Sequence, residues 1–261
     1  MIKTNFIYPE ISEQDRQFGA GLTAPILRPN GDWRDFLPEN EDQNVRGIES
    51  SACYVEAQQA CLATLLEEKF SIPNSNFSAR FNALLSGGSE GGGDPVRGAK
   101  SVKYDGLVPE KLMSWEGIDD WREYHSFSGA DEEECKVKGK EWVNQWQADF
   151  KILTEKELPL ETKYILLKEG LQRSPVPISV SAWYEWDGMY FKPQGLRDNH
   201  LTLAVFVDDQ NRIHVRDTYS PYSKILEPNT DFEFSMWWSI KKKEVKNWSV
   251  SLCSIIKNLW Q

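Results

Sequence analysis

From Ser50 onward, Cys53, Ala57, Ala60, Cys61, Thr64, Leu65 and Phe70 recur at intervals of three and four. Glu56, Gln59, Glu67 and Glu68 fall on other faces, the pattern of an amphipathic helix. Ser50 or Ser51 is placed to cap it through a hydroxyl, and Glu56 suits the positive end of its dipole. A second helical patch, Phe77 to Leu85, stops at Gly87-Gly88-Ser89-Glu90-Gly91-Gly92-Gly93, which reads as a flexible loop. A third helix is expected from Pro95 to Tyr104, opening on a proline where a helix tolerates one and closing before Asp105-Gly106. Between Asp131 and Phe150, acids precede Lys136, Lys138 and Lys140, which predicts a solvated helix. Thr162 to Leu171 predicts one more short helix.

After Ser174 the period changes to two. Val176, Ile178, Val180 and Ala182 alternate with Pro177, Ser179 and Ser181, as in a strand with one buried face. Leu201 to Val207 is a more continuous apolar run; Asp208 to Asn211 supplies turn residues and Arg212 to Asp217 returns, which predicts a hairpin. Residues 1–45 are rich in Pro, Asn and Asp without a sustained period, and are expected to be extended coil on the surface. The order predicts an α+β chain of 261 residues forming one domain, with an extended segment 1–45, a mainly helical lobe 46–172 and a mainly β lobe 173–261. A cleft between the lobes is the natural place for a site.

Charge narrows the partners. Lys plus Arg total 30 against 40 for Asp plus Glu, a formal charge of -10, so no concentrated positive footprint for nucleic acid is expected. No apolar run approaches the roughly 18 residues of a membrane span, and Met1 to Glu10 lacks the features of a secretory signal. The expected location is cytoplasmic in the producing cell, or virion-associated.

Four cysteines, at 53, 61, 135 and 253, contain no Cys-x-x-Cys pair, and the histidines are His125, His200 and His214, so neither a metal centre nor another cofactor is expected. Nucleophilic chemistry is the alternative. A thiol in the first turn of a helix ionises more readily because unpaired N–H groups stabilise its negative charge, which singles out Cys53. Cys61, about two turns deeper, reads as core, and Cys135 and Cys253 as structural. Gly93-x4-Gly98-Ala99-Lys100-Ser101 nearly imitates a phosphate-binding loop, but an extra Ala separates Gly from Lys and no buried strand leads in.

Ser50-Ser51-Ala52-Cys53-Tyr54 is similar to the active-site segment of papain-like cysteine peptidases, Cys-Gly-[Ser or Ala]-Cys-[Trp or Tyr]. Asp32-Trp33-Arg34 resembles the motif near the family's mature N-terminus, and Gln43 falls where its oxyanion glutamine does. Asn199-His200-Leu201-Thr202-Leu203-Ala204-Val205 resembles the family's His and following strand, and Arg216-Asp217-Thr218-Tyr219-Ser220 its Lys-Asn-Ser-Trp-Gly. His200 follows Cys53 by 147 residues, within the family's spacing of about 130 to 150. Phe77 to Phe81 and Gly106 to Glu110 also look like family segments, so the likeness runs from about residue 23 to about 222.

The resemblance implies a papain-like fold and a thiol peptidase in which Cys53 attacks, His200 carries the proton and Asp217 orients the imidazole. Gln43 and the Cys53 backbone N–H would hold the oxyanion, with Asn44 as a fallback donor. Trp183, Asn199 and Tyr219 are expected beside the substrate; Trp183, Tyr184, Trp186 and Tyr190 either line the cleft or fill the core. Four departures stand out. Gln43 lies ten residues before Cys53, longer than usual in the family, so the intervening chain must bulge. Ser50 stands where the family commonly has a disulfide cysteine, and Asp217 replaces Asn, adding a charge that favours the imidazolium. No propeptide of typical length precedes Asp32.

The chain looks like the short, divergent members found in phage and bacterial genomes. A protein or peptide substrate is expected first. Peptidoglycan, cleaved as a cell-wall amidase or peptidase would, and phage structural proteins bound by an inactive papain-fold virion component are the alternatives. The tail from Phe234 to Gln261, with Trp237, Trp238, Trp248 and Trp260, is expected to finish the second lobe as strand plus helix, with an interfacial or partner-binding segment as the other reading.

Overall fold

The computed structural model describes residues 7–9, 11–12, 15, 24–45 and 47–244. Two short strands, β1 (Asn44–Val45) and β2 (Ile48–Glu49), pair antiparallel just ahead of helix α1 (Cys53–Phe70). Helices α2 (Ala79–Leu85), α3 (Pro95–Tyr104), α4 (Trp121–Tyr124) and α5 (Glu132–Gln145) complete the helical half. Strand β3 (Trp146–Thr154) and helix α6 (Leu160–Leu171) lead into β4 (Val176–Val180), β5 (Tyr184–Trp186), β6 (Met189–Phe191), β7 (His200–Val207), β8 (Ile213–Arg216), β9 (Ser223–Ile225) and β10 (Ser235–Lys242). Six of these form one antiparallel sheet in the order β3-β10-β4-β7-β8-β9, while β5 and β6 form a separate hairpin.

Helix α1 is not amphipathic in its surroundings. Every residue from Cys53 to Leu66 is buried, Glu56, Gln58, Gln59 and Thr64 included, because the helix packs on β7, β10 and β4 from one side and on α2 and α3 from the other. Its polar side chains find partners inside: Gln58 donates to the Tyr54 and Pro95 carbonyls, and Gln59 to the Ser78 carbonyl and Asn82 Oδ1. No serine caps the helix. Ala52 occupies the cap position, and Ser50 Oγ accepts from the Ala52 N–H instead. Cys61 is core, as its depth predicted, and Cys135 is buried between α5 and the Leu112 carbonyl. Cys53, Cys61 and Cys135 carry free thiols. Cys253 and the end of the tail lie outside the described residues.

Two other expectations change. The helix predicted to reach Phe150 ends at Gln145, and Trp146–Thr154 is a strand alternating inward and outward as it pairs with β10. The charged period of α5 masked the switch from 3.6 to 2. Strand β4 is buried at all five residues rather than on one face, because β10 and β7 flank it and helices cover it. Helices α2, α3, α4 and α5 start where a side chain satisfies free N–H groups, Ser78, Asp94, Asp120 and Asp131 in turn, whereas α6 follows Pro159 without a side-chain cap.

The N-terminal coil is tied to the sheet half by Trp33, which is fully buried. Its indole N–H donates to the Leu171 carbonyl at 2.6 Å and its backbone N–H to Val205 at 3.0 Å. In the helical half, the buried Arg80 guanidinium donates to the carbonyls of Ser114, Glu123, Tyr124, Ser126 and Ser128, holding an otherwise irregular stretch against α2. No described helix is long and apolar enough to cross a membrane.

The glycine run expected to be a flexible loop is packed. Its tip closes through hydrogen bonds between Ser89 and Gly92, and its flanks press on Tyr54, whose hydroxyl reaches Ala83 O and Ser86 Oγ. A Cβ at Gly93 would lie 2.1 Å from Tyr54 Cζ, so absence of a side chain is what lets the run close over the start of α1. Gly93→Ala is therefore expected to destabilise the fold by roughly 2–3 kcal/mol in urea denaturation. Gly91→Ala, whose Cβ would meet only Ser89 Oγ at 3.4 Å, is expected to change it by no more than about 0.5 kcal/mol.

Candidate active site

Three elements bring the expected catalytic residues together. Cys53 is the first residue of α1, where a helix leaves its N–H groups without intrahelical acceptors. His200 opens β7, paired with Val180 of β4, and α1 packs directly on β7. Asp217 follows β8; since Leu203 pairs with Arg216, the ladder continued by one step sets Asp217 opposite Thr202, two residues from His200 on the same face. The antiparallel hairpin thus brings together two residues 17 apart in sequence.

His200 Nε2 donates to Asp217 Oδ1 at 2.6 Å, with both side chains fully buried. The other ring nitrogen, Nδ1, is buried without a hydrogen-bond partner, and the Cys53 thiol is near enough to add to the forces that raise the ring's pKa. Burial pushes the imidazole toward its neutral form, but the Asp217 carboxylate and Cys53 outweigh it and hold its pKa up at about 10. The ring is walled by aromatics, Trp183 edge-on at 5.6 Å between centroids and Tyr219 at 5.4 Å. His125 and His214 are elsewhere engaged, the first with the Ser50 carbonyl and the second with Asp208.

Burial alone would raise the Asp217 pKa; the charges of His200 and Lys224 instead keep it below the usual carboxylate range. Lys224, invisible to the motif analysis, is 3% exposed and donates to Asp217 Oδ2 at 2.7 Å and to the Tyr219 and Pro221 carbonyls at 2.5 and 2.6 Å. Its ammonium also lies 4.9 Å from the centre of the Trp183 ring. The signal that could have found it is Asp217 itself: a buried carboxylate where the similar family has a neutral amide calls for a second cation. β9 supplies it, Lys224 pairing with Val215 of β8.

Gln43 is buried ten residues before Cys53, and the long interval between them folds as the β1–β2 hairpin. Its Nε2 donates to Glu49 Oε1 at 2.7 Å and to Tyr219 Oη at 2.5 Å, while its Oε1 accepts from Thr218 Oγ1. The amide expected at the oxyanion therefore rests on a carboxylate. Glu49, like Lys224, was not singled out from the sequence. Asn44, the alternative donor, stands in β1 with an exposed side chain. Asn199 Oδ1 accepts from the Ala182 N–H at 2.8 Å, steadying the turn that carries Trp183.

Two residues around Cys53 depart from expectation. Ser51 adopts φ of +54°, the left-handed conformation for which the similar family's pattern has Gly, and its Oγ donates to the Glu90 carbonyl. Glu56, expected to suit the helix dipole, is buried with Oε2 unpartnered, and burial reinforced by Glu41 pushes its pKa well above the usual carboxylate range. A solvent-open cleft of about 720 Å³ runs past this corner, with Gly47, Ile48, Glu49 and Ser51 on one side and Glu90, Gly91, Asp119, Asp120 and Trp121 on the other.

No protein-family profile matches the chain, and no curated protein sequence matches it. Solved structures do. Xylellain, a cysteine protease from Xylella fastidiosa, superposes with a TM-score of 0.65 at 15% identity, covering 93% of this chain and 97% of that one. The bromelain protease from Ananas comosus, in complex with the E64 inhibitor, gives 0.55 at 14% identity over 80% of this chain and 97% of its own. A procathepsin B from Trypanosoma congolense gives 0.52 at 12% identity over 90% and 86%. At such identities the likeness establishes the fold: with helices gathered in its first half against a six-stranded antiparallel sheet, this chain has the papain-like cysteine-protease fold.

Proposed function

We propose that this protein is a cysteine peptidase that cleaves protein or peptide substrates through Cys53, His200 and Asp217. The observation that carries the reading is the His200 ring, tied through Nε2 to Asp217 and left with Nδ1 free for Cys53. His200 takes the thiol proton, and the imidazolium is stabilised by the buried carboxylate behind it. The thiolate attacks the scissile carbonyl carbon, and the carbonyl oxygen becomes an oxyanion beside the first N–H groups of α1. As the carbon–nitrogen bond breaks, His200 returns its proton to the departing amine, leaving a thioester on Cys53. Water then attacks the thioester, His200 receiving the water's proton and passing it to the sulfur as the acid product leaves.

Asp217 and Lys224 together do what a neutral amide does in the similar family. The carboxylate fixes the imidazole, and Lys224 balances part of its charge so that it remains ionised in a dry site. Trp183 and Tyr219 exclude water from the His200–Asp217 hydrogen bond and are the aromatic surfaces nearest the reacting atoms.

Reactivity of Cys53 tests the reading directly. Iodoacetamide or the epoxide E-64 is expected to label Cys53 at pH 5 to 6, dependent on His200; Cys53→Ser should abolish both labelling and peptide hydrolysis. His200→Ala should lower hydrolysis on the order of 10³-fold or more. Labelling of Cys53 only above about pH 8, as for an ordinary thiol, would sink the peptidase reading. Casein beside purified peptidoglycan as substrates separates protein cleavage from cell-wall cleavage.

Stability should follow the His200 proton. A histidine in the unfolded chain titrates near ~6.5, and His200 is raised to about 10. Its contribution is therefore complete below the unfolded value and is lost as pH climbs toward the folded one. The urea midpoint is expected to fall between about pH 7 and about pH 10, and to fall less in Asp217→Asn. Lys224→Met should cost roughly 3–5 kcal/mol by leaving Asp217 under-compensated, and adding Asp217→Asn should restore part of it, a non-additivity read from a double-mutant cycle.

A further inference from the structure

Glu49 is held by three donors. Its Oε1 accepts from Gln43 Nε2 at 2.7 Å and from the Ser51 backbone N–H at 3.0 Å, and its Oε2 accepts from Tyr219 Oη at 2.7 Å. Gln43 Nε2 is one of the two donors that a tetrahedral oxyanion on a Cys53 substrate would need, and the Ser51 N–H lies two residues ahead of the other, the Cys53 N–H. A carboxylate oxygen resembles that oxyanion in charge and in the donors it attracts, so a site preorganised for one holds the other. Cys53 and His200 are themselves 1% and 0% exposed.

The chain supplies this carboxylate through a local insertion. The ten-residue interval from Gln43 to Cys53 folds back as β1–β2, with Asn44 paired to Glu49 and the Ser50 N–H donating to the Gln43 carbonyl. That return sets Glu49 beside the glutamine it follows by six residues. Glu49 also lines the open cleft of about 720 Å³, so its side chain has solvent-filled space into which it can rotate. Another cavity is lined by Glu41, Asp42, Glu56 and Glu110 together with Trp115 and Phe77, and neither Glu49 nor Gln43 lines it.

We infer that Glu49 is a built-in competitor for the oxyanion hole: its carboxylate, anchored by the Ser51 N–H, occupies the Gln43 donor in the resting protein and must withdraw before Cys53 can be acylated. The inference rests on the peptidase reading. It places a restraint on the oxyanion donor, rather than on the thiol, in a residue of β2. Because only the fraction of molecules with Glu49 withdrawn can bind a transition-state-like ligand, removing the carboxylate raises apparent affinity by the inverse of that fraction.

A peptide aldehyde and iodoacetamide read this separately. The aldehyde forms a hemithioacetal on Cys53, its carbonyl oxygen taking up the thiol proton or remaining an oxyanion in the hole, whereas alkylation displaces iodide and develops no oxyanion. Glu49→Ala is expected to tighten aldehyde inhibition by about tenfold or more, and to raise kcat/KM for a fluorogenic peptide in parallel. The iodoacetamide rate should change by less than about threefold. Glu49→Gln, which keeps the shape without the charge, should give a smaller gain in the same direction, and Gln43→Ala added to Glu49→Ala should cancel the gain. Thermal unfolding of each variant confirms that it is folded. Aldehyde affinity that is unchanged or weakened in folded Glu49→Ala and Glu49→Gln overturns the inference, making Glu49 a brace for Gln43. If neither wild type nor variants bind the aldehyde and Cys53 alkylates only above about pH 8 in all of them, the peptidase reading itself fails.

Discussion

Helix α1 is the element on which both halves of the molecule close. It is buried on every side for its first fourteen residues, so its position is set by the sheet strands β7, β10 and β4 and by α2 and α3 at once. Ordinary helices present one stripe to a core and leave the rest to water. Here the outer stripe is replaced by a second packing surface, which forces Gln58 and Gln59 to find internal acceptors and pushes the Glu56 pKa well above the usual carboxylate range. The same constraint requires the bare backbone of Gly93 against Tyr54. The result fixes the helix start, and therefore Cys53, to the opening residue of β7 with little freedom of either element.

Charge in the site is arranged in layers outward from that contact. His200 meets Asp217, Asp217 meets Lys224, and Lys224 meets the carbonyls of the loop that carries Tyr219. Asp217 and Lys224 each have a partner of opposite sign and further hydrogen bonds, the condition under which dry charges are tolerated, while His200 keeps Nδ1 without a partner. On the other side of the ring, Tyr219 joins Gln43 and Glu49 in a second hydrogen-bonded group. Tyr219 thus belongs to both, walling the imidazole with its ring and gripping Glu49 with its hydroxyl. The two groups thus share a single side chain.

Much of this was written locally in the chain. The helix from Pro95 to Tyr104 and the hairpin around Asp208 to Asn211 follow from caps, turn residues and periodicity, which act over a few residues. The order of Asp32-Trp33-Arg34, Gln43, Cys53, His200 and Asp217 carried the fold by resemblance, where overall identity to the solved relatives is 12–15%. What the sequence could not carry was burial from both sides, since the pattern of α1 reads as amphipathic until its second packing partner is known. The strand Trp146–Thr154 was missed because its partner β10 lies some ninety residues later, and only pairing gives its alternation meaning.

The sequence by itself thus determined which residue types could do the chemistry and in what order they come: a thiol opening a helix, a histidine opening a strand, a carboxylate after the next strand. Tertiary structure alone decided what surrounds them. Lys224 reaches Asp217 through the register of β9 on β8, and Glu49 reaches Gln43 through the return of β2 on β1. Neither is marked by a motif, because a charge acquires its role from the partner that burial and pairing bring within hydrogen-bond distance, and those distances are set by the whole fold rather than by spacing along the chain.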